Sequence, residues 1–349
     1  MTKTRILEAK TFGDWAYLAV EKHFQKIISY EKDVLKDTDP ENLHQMRVGM
    51  RRLRTVVSGF ALALDLPKAA KEKEIAKVAR SLGELRDLDV LQDTIQDNYL
   101  PKLPSSEQEL FKPVLSTLIK QRKKSLEQVK NSLSQQSYQK LKLACQEWLK
   151  RPKYGEIAEI DITDILPDLL LPSFSKFFLH PAWLVGVKLE AGEINISNSL
   201  NREIVSHLLS NHGDSLHSLR KEAKRVRYQM ELFTDFYCPR YKDYLKDIKA
   251  IQKVLGEIQD SFVLAEFLRD TLGSDLTAQL PTLTAQLTEN SYQAWQNWAT
   301  LQQLYLEPGQ RRNLQQIILQ PVSPTEQQKK LDIKLEALPE FSSHGEDIK

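Results

Sequence analysis

Two stretches of this 349-residue chain repeat each other at a fixed spacing. The first runs from Leu43 through His44, Gln45, Met46, Arg47, Val48, Gly49, Met50, Arg51, Arg52 and Leu53 to Arg54; the second runs from Leu216 and His217 to Arg227. A shift of 173 residues, from His44 to His217, maps Arg47 onto Arg220, Arg51 onto Lys224, Arg52 onto Arg225 and Arg54 onto Arg227. The same shift carries Phe60 to Phe233, Leu82-Gly83-Glu84 to Leu255-Gly256-Glu257, and Asp87 to Asp260. Two motifs recurring in order with no gap between them are an internal duplication, which restricts the fold to two similar halves.

The first stretch has helical periodicity. With His44 at zero and about 100° per residue, Arg51, Arg47 and Arg54 fall at roughly 340°, 300° and 280°. Leu43, Met50, Val57, Met46, Leu53 and Phe60 fall between roughly 260° and 160°, an apolar face beside the cationic ribbon. Arg52 stands apart, near 80°. Downstream, Lys73, Lys77, Arg80, Glu84 and Asp87 form one stripe, basic first and acidic second. Its copy carries Lys246, Lys253, Glu257 and Asp260, with Ala250 where Lys77 maps.

The remaining chain reads as helix punctuated by proline. Glycine is 12 of 349 residues, about half the usual share, which favours helix over turn-rich sheet. Apolar spacing predicts helices over 12–37, 40–64, 68–98, 106–133 and 137–150, with Asp39-Pro40 as a start signal. Arg151-Pro152-Lys153-Tyr154-Gly155 reads as a linker. Residues 162–180 are helical but interrupted by Pro167 and Pro172; Gly213-Asp214 opens the second basic helix; Pro239 starts another, to about Leu272; 274–306 and 310–319 follow. Residues 183–197 alternate enough for a short hairpin, and 321–349 read as a loosely ordered or disordered tail. The expected architecture is all-α: a single domain over 10–320, made of two pseudo-symmetric sequential bundles of about four helices each (10–150 and 162–320), joined by a linker at 151–161.

Net charge is only +2, so basic residues act locally rather than as a tail. Residues 120–130 hold Lys120, Arg122, Lys123, Lys124 and Lys130 against Glu127, a run that fits either a solvated helix face or the rim of an anion site. Cys145 and Cys238 have no zinc or redox spacing and read as ordinary, partly buried thiols. The first twenty residues lack a signal-peptide core, and no stretch approaches the roughly 18 apolar residues of a span. The expectation is a cytoplasmic protein without cofactor.

His44-Gln45-Met46-Arg47, Arg51-Arg52 and Arg54, with their echo from His217 to Arg227, resemble the signature helices of the CHAD family (conserved histidine α-helical domain). Leu82-Gly83-Glu84-Leu85-Arg86-Asp87-Leu88-Asp89 resembles the family's second motif, with a weaker copy at Leu255–Asp260. The resemblance covers roughly 10–320. It implies an all-helical, pseudo-symmetric domain that binds inorganic polyphosphate in a basic central cavity, with granule targeting, storage regulation and scaffolding an enzyme open as its use. It implies ligand contacts from His44, Arg47, Arg51, Arg54, His217, Arg220, Lys224 and Arg227. Arg52, Arg225, Lys73, Lys77, Arg80, Lys246 and Lys253 complete the candidate set as neighbouring cations. Many relatives carry a triphosphate-handling tunnel barrel, but there is no Glu-x-Glu-x-Lys start or run of eight strands here. Two departures stand out: 183–197 reads as an insertion, and Gln259 and Ala250 leave the second copy less charged.

The chemistry suits such a guest. Polyphosphate offers one charge per phosphate and no bases, so its receptor needs Arg and Lys on rigid elements; the Arg fork binds phosphate oxygens in pairs. Positions i, i+3 and i+7 rise about 4.5 and 10.5 Å along a helix, a ladder for successive phosphates. Glu84, Asp87, Glu257 and Asp260 are expected to orient cations of the neighbouring helix. Three other readings compete. A nucleic-acid or other polyanion binder lacks a helix-turn-helix and stacking aromatics on its basic face. A metal site of His44, His217 and these acids lacks ligand spacing. A polyphosphate-processing enzyme lacks a Walker loop. The expectation is therefore a non-catalytic protein.

Overall fold

The computed structural model describes residues 9–322 except 191, 192, 197–199 and 274. The anticipated tail therefore lies outside the described residues apart from Pro321 and Val322. Ten main helices carry the fold: α1 (Phe12–Lys36), α2 (Pro40–Gly59), α3 (Glu72–Asp93), α4 (Ser105–Ser134), α5 (Gln136–Lys150), α6 (Ile162–Phe178), α7 (Arg202–Leu232), α8 (Pro239–Leu272), α9 (Pro281–Leu306) and α10 (Pro308–Ile318). Each half thus has five long helices among the described residues, in step with the helical stretches read from the spacing and one more than the about four expected for each bundle. A single helical turn, Leu276–Gln279, precedes α9.

The halves are wired alike. In the first, α1 packs on α2, α2 on α3, α3 on α4 and α4 on α5, and α5 returns to α1 and α3. In the second, α6 packs on α7, α7 on α8, α8 on α9 and α9 on α10, and α10 returns to α6 and α8. The two meet where α2 touches α7. There Phe60 lies against its own repeat copy, Phe233, with ring centroids 5.4 Å apart and an edge-on tilt of 61°. A residue meeting its equivalent marks an approximate two-fold axis.

One apolar core runs through both halves, from Phe12 to Ile318. A second, smaller one closes the far end, where Ile95, Phe111 and Val114 of the first half pack with Leu264, Leu268 and Leu283 of the second. Buried Glu107 on α4 reaches across to cap α9, its carboxylate accepting from the Thr282 and Leu283 backbone N–H groups at 2.9 and 3.1 Å. The halves therefore meet along α2 and α7 and at this far end, with α1 also touching α6, and they leave space between them.

Several local expectations need correction. The second basic helix does not open at Gly213-Asp214; it begins at Arg202, with the Asn201 side chain accepting from the Ile204 N–H at 2.9 Å. Val205 and Leu209 extend the buried stripe of Leu216 and Leu219 backward through Gly213, and an interior glycine, costing about 1 kcal/mol, does not break a helix so packed. Pro167 and Pro172 do not interrupt α6, whose Leu166, Leu170, Phe174 and Phe177 are fully buried. The second helix stops at Gly59 rather than 64, and the third gives way to a wider π turn over Thr94–Tyr99. Cys145 is buried, its thiol pushed up to about 12 by burial, while Cys238 is exposed.

The linker at 151–161 is strapped to the first half by backbone hydrogen bonds. Gly155 N–H donates to Ala63 O at 3.0 Å, and Phe12 and Gly13 N–H donate to Ile160 O and Ala158 O at 2.8 Å. A Cβ on Gly155 would sit 2.3 Å from Leu62 O, so only glycine allows this approach. The hairpin is present: Val187–Glu190 pairs antiparallel with Glu193–Ile196, Val187 opposite Ile196. No helix of the described residues is long and apolar enough to cross a membrane.

Candidate functional site

Both basic helices are held by the same apolar positions. Leu43, Met46, Met50, Leu53 and Val57 of α2 are buried, and so are their copies Leu216, Leu219, Ala223, Val226 and Met230 of α7. On α2, Asp39 fixes the start by accepting from the Glu41 N–H at 2.8 Å, with Pro40 at the first turn. Burial of one stripe sets the rotation of each helix, and rotation decides where the cations point.

They point into a cavity of about 820 Å³ between the halves. Arg47 and Arg51 enter from α2, and His217, Arg220, Lys224 and Arg227 from α7. Against these five cations stand three carboxylates, Asp87, Glu257 and Asp260, so the lining carries positive excess. The Leu-Gly-Glu-x-x-Asp motif explains how two of the cations are seated. A Cβ on Gly256 would come within 3.1 Å of Arg220 Nη2, and one on Gly83 within 3.7 Å of Arg47 Nε. Each guanidinium therefore lies across the neighbouring helix at its glycine. The next turn supplies its partner: Arg47 to Asp87 at 3.5 Å, and Arg220 to Asp260 at 3.9 Å. Both Asp side chains remain largely open, at 74% and 71%, so these long contacts orient the arginines without sequestering them.

Three polar atoms among these side chains, Arg51 Nε, Arg220 Nε and His217 Nδ1, are buried without a hydrogen-bond partner. Leaving such a group unmatched costs about 1–3 kcal/mol. Lys224 is the most strained cation: burial, then Arg220, Arg47 and Arg51, pull its ammonium down to about 8, against the pull of Asp87. Burial also lowers both histidines. Nearby cations add to this, Arg86, Arg47 and Arg51 at His44 and Lys221, Arg220 and Lys224 at His217. Their role near neutral pH is accordingly that of uncharged hydrogen-bonding groups.

Not every candidate reaches the cavity. His44 feels Arg47 and Arg51 but does not line it. Arg54 turns outward to Glu72. Arg52 faces Glu231 at 4.0 Å and lines a different cavity. Arg225, with Lys176, holds buried Glu222. Lys73 and Arg80 are exposed; Lys77 pairs with Glu74 and Lys246 with Asp243, each one turn back. Lys253 pairs with Glu257 at 3.6 Å. For the five on α3 and α8 the cause is common: these helices line the cavity with the acidic part of the stripe, so its basic part faces solvent, where Lys77, Lys246 and Lys253 find partners one turn away.

The run at 120–130 is largely a solvated face, except for Arg122. That guanidinium grips both Asp37 oxygens at 2.7 and 2.8 Å and Asp89 at 2.8 Å, tying α1, α3 and α4 together. Two groups were missed at the cavity. Tyr228 has Arg51 over its ring at 4.5 Å and Arg227 at 5.4 Å. Asn290, Gln293 and Asn297 of α9 form an amide wall; their i, i+3, i+7 spacing is a helical stripe that could have flagged them. Among the described residues no group of three or more His, Cys, Asp or Glu side chains could hold a metal ion.

Lys224 gives a pH prediction with a definite sign. The cavity loses a charge as Lys224 deprotonates, so anion binding is expected to weaken about three- to tenfold between pH 7 and 9. Lys224→Arg should flatten that decline. Because the folded value near 8 lies below the ordinary 10.5, the unfolded chain holds the extra proton between them, and stability contributed here rises with pH across that window. Lys224→Met should therefore raise Tm at pH 7 by about 2–4 °C while weakening binding. A flat wild-type binding profile, read by anisotropy of a labelled polyanion, would remove Lys224 from the site.

The CHAD domain family model matches residues 18–269. Among solved structures, the chain is similar to the crystal structure of the CHAD domain from the plant Ricinus communis, with a TM-score of 0.53 and 21% identity, over 89% of this chain and 94% of that one. It is also similar to PptA from Streptomyces chartreusis, with a TM-score of 0.58 and 13% identity, over 84% of this chain and 100% of that one. A comparison with curated proteins gives no match. With a duplicated helix pair, a central cavity and a family model spanning most of its length, the chain belongs to the CHAD domain family.

Proposed function

We propose that this protein binds inorganic polyphosphate, without catalysis, in the cavity between its two halves. One observation carries the reading: Arg47, Arg51, Arg220, Lys224 and Arg227 converge on one open space. Arg220, Lys224 and Arg227 stand at i, i+4 and i+7, about 6 and 10.5 Å along one helix, and Arg47 and Arg51 oppose them from the other. A flexible chain of phosphates can meet such a ladder at several points, each a charge-assisted bond. The orienting carboxylates keep the cations apart until the polyanion replaces them as counter-charge.

Nucleic acid fits less well. Of the two tyrosines lining the cavity, Tyr228 is covered by Arg51 and Arg227, and Tyr99 is buried with its hydroxyl bonded to Asn290 at 3.2 Å. Neither offers a free ring for a base, and stacking is what single-strand binding draws on. The test is a competition titration of long-chain polyphosphate, triphosphate, ATP and duplex DNA against the purified chain at about physiological salt. Long-chain polyphosphate is expected to win at equal charge. Equal or tighter binding of DNA would reverse the assignment. Association with polyphosphate granules in the cytoplasm follows as a cellular expectation.

A further inference from the structure

A second cavity, of about 570 Å³, lies on the Arg52 side of α2, enclosed by α1, α2, the end of α7 and α8. Its volume falls within the range typical of small-molecule sites. The wall has two characters. Trp15, Leu18, Phe236 and Leu245 make one part apolar, with Trp15 edge-on to Phe236 at 4.8 Å. Lys22, Arg52 and Lys249 make the other part cationic.

Two observations point to a ligand. Trp15 Nε1 and His23 Nδ1, from side chains in this wall, are buried and have no hydrogen-bond partner. His23 as a whole is only 6% exposed, and burial, with Arg52, Lys22 and Lys26, drives its pKa down to about 4, so it remains neutral. The cations are also under-neutralised. Glu231 is shared by Arg227 at 2.9 Å, Lys249 at 3.5 Å and Arg52 at 4.0 Å. The wall holds three cations, Lys22, Arg52 and Lys249, against two carboxylates, Glu231 and Asp235, and Glu231 is shared with Arg227 of the first cavity, which leaves net positive charge beside an apolar pocket.

We infer that this cavity binds a small organic anion with a flat apolar body, its body against Trp15 and Leu18 and its anionic head on Arg52 and Lys249. Such a molecule covers the apolar wall and meets the charge excess together; a plain hydrocarbon leaves the charge unmet, and a bare inorganic ion leaves the apolar wall uncovered. The position also couples it to the first cavity. Tyr228 lines both, and Glu231 pairs with cations of both. An anion drawing Arg52 and Lys249 off Glu231 leaves that carboxylate to neutralise Arg227, so the two ligands oppose each other, reciprocally. This coupling, though not the site, rests on the polyphosphate reading.

The probe is 1-anilinonaphthalene-8-sulfonate, titrated into the full chain and read by its fluorescence and by quenching of tryptophan. Saturable binding of one molecule per chain is expected. Ala19→Trp, which fills the cavity from α1, should abolish it and leave polyphosphate affinity unchanged. Lys249→Glu, on the outer wall, should weaken it about tenfold with helicity retained. Saturating polyphosphate should lower the probe's affinity, and the probe should lower that of polyphosphate by the same factor. Non-saturable binding, or saturable binding untouched by both substitutions, overturns the site. Probe binding lost in Ala19→Trp by a protein that takes up no polyphosphate would uphold this site and defeat the first reading instead.

Discussion

Replacing Arg47 and Arg220 together by Glu should reduce polyphosphate affinity by about 10²–10⁴-fold, since each position gives up a charge-assisted hydrogen bond worth about 1.5–3 kcal/mol. Reversal of sign adds repulsion toward a chain of phosphates. The fold should survive. These side chains are 28% and 19% exposed, and their ion pairs, at 3.5 and 3.9 Å, are long contacts to well-exposed carboxylates. Helicity by circular dichroism should match wild type, while titration with long-chain polyphosphate shows the loss. The informative control is Lys123→Glu with Lys124→Glu, a similar charge change on an exposed face of α4. If the control damages binding more than the pair at 47 and 220, the guest lies on the outer surface and not between the halves.

Arg122→Met should have the opposite profile: a large loss of stability with binding intact below the transition. Asp89 has a side-chain exposure of 5% and relies on the Arg122 Nε–H at 2.8 Å. Asp37 caps α1 in the left-handed region, φ 53°, and receives two more of its N–H groups. Removing one partner of a buried ion pair costs about 3–5 kcal/mol because the other charge stays behind. That corresponds to a fall in Tm of about 4–7 °C in a chain of this size. Arg122→Met combined with Asp89→Leu should recover part of the loss, since the stranded charge leaves with its partner. A variant melting within about 1 °C of wild type would mean that the clasp contributes nothing net.

The two experiments separate what one stretch of sequence ran together. Arg122, Lys123 and Lys124 look alike as a basic run, yet one is a structural clasp and the others face solvent. No local pattern distinguishes them, because the acids that capture Arg122 come from residues 37 and 89. The stripe on α3 and α8 behaves similarly. Its cations share a helical face with Glu84, Asp87, Glu257 and Asp260, but the cavity touches that face only at the acidic end. Lys77 and Lys246 instead pair with acids three residues away, a geometry any exposed helix provides.

The glycines of the Leu-Gly-Glu motif show the reverse case. Their recurrence was plain from the residues, but their purpose was not. Only once α3 lies beside α2, and α8 beside α7, does the missing side chain become the bed for an arginine. Likewise Phe60 and Phe233 were equivalent by count before they were neighbours. The amide stripe of α9 was readable in its spacing and became meaningful only when α9 closed over the second basic helix.

By itself the amino-acid order determined the duplication, the helices, the buried stripe of each and the cationic ribbon beside it. These are properties of spacing along a chain, and a helix converts spacing into direction. The tertiary structure decided which of fifteen candidate side chains share an enclosed volume, and which become counter-ions or clasps. Direction on an isolated helix leaves open what lies opposite. That is fixed only when distant segments pack, and a charge takes the nearest partner that packing leaves within reach.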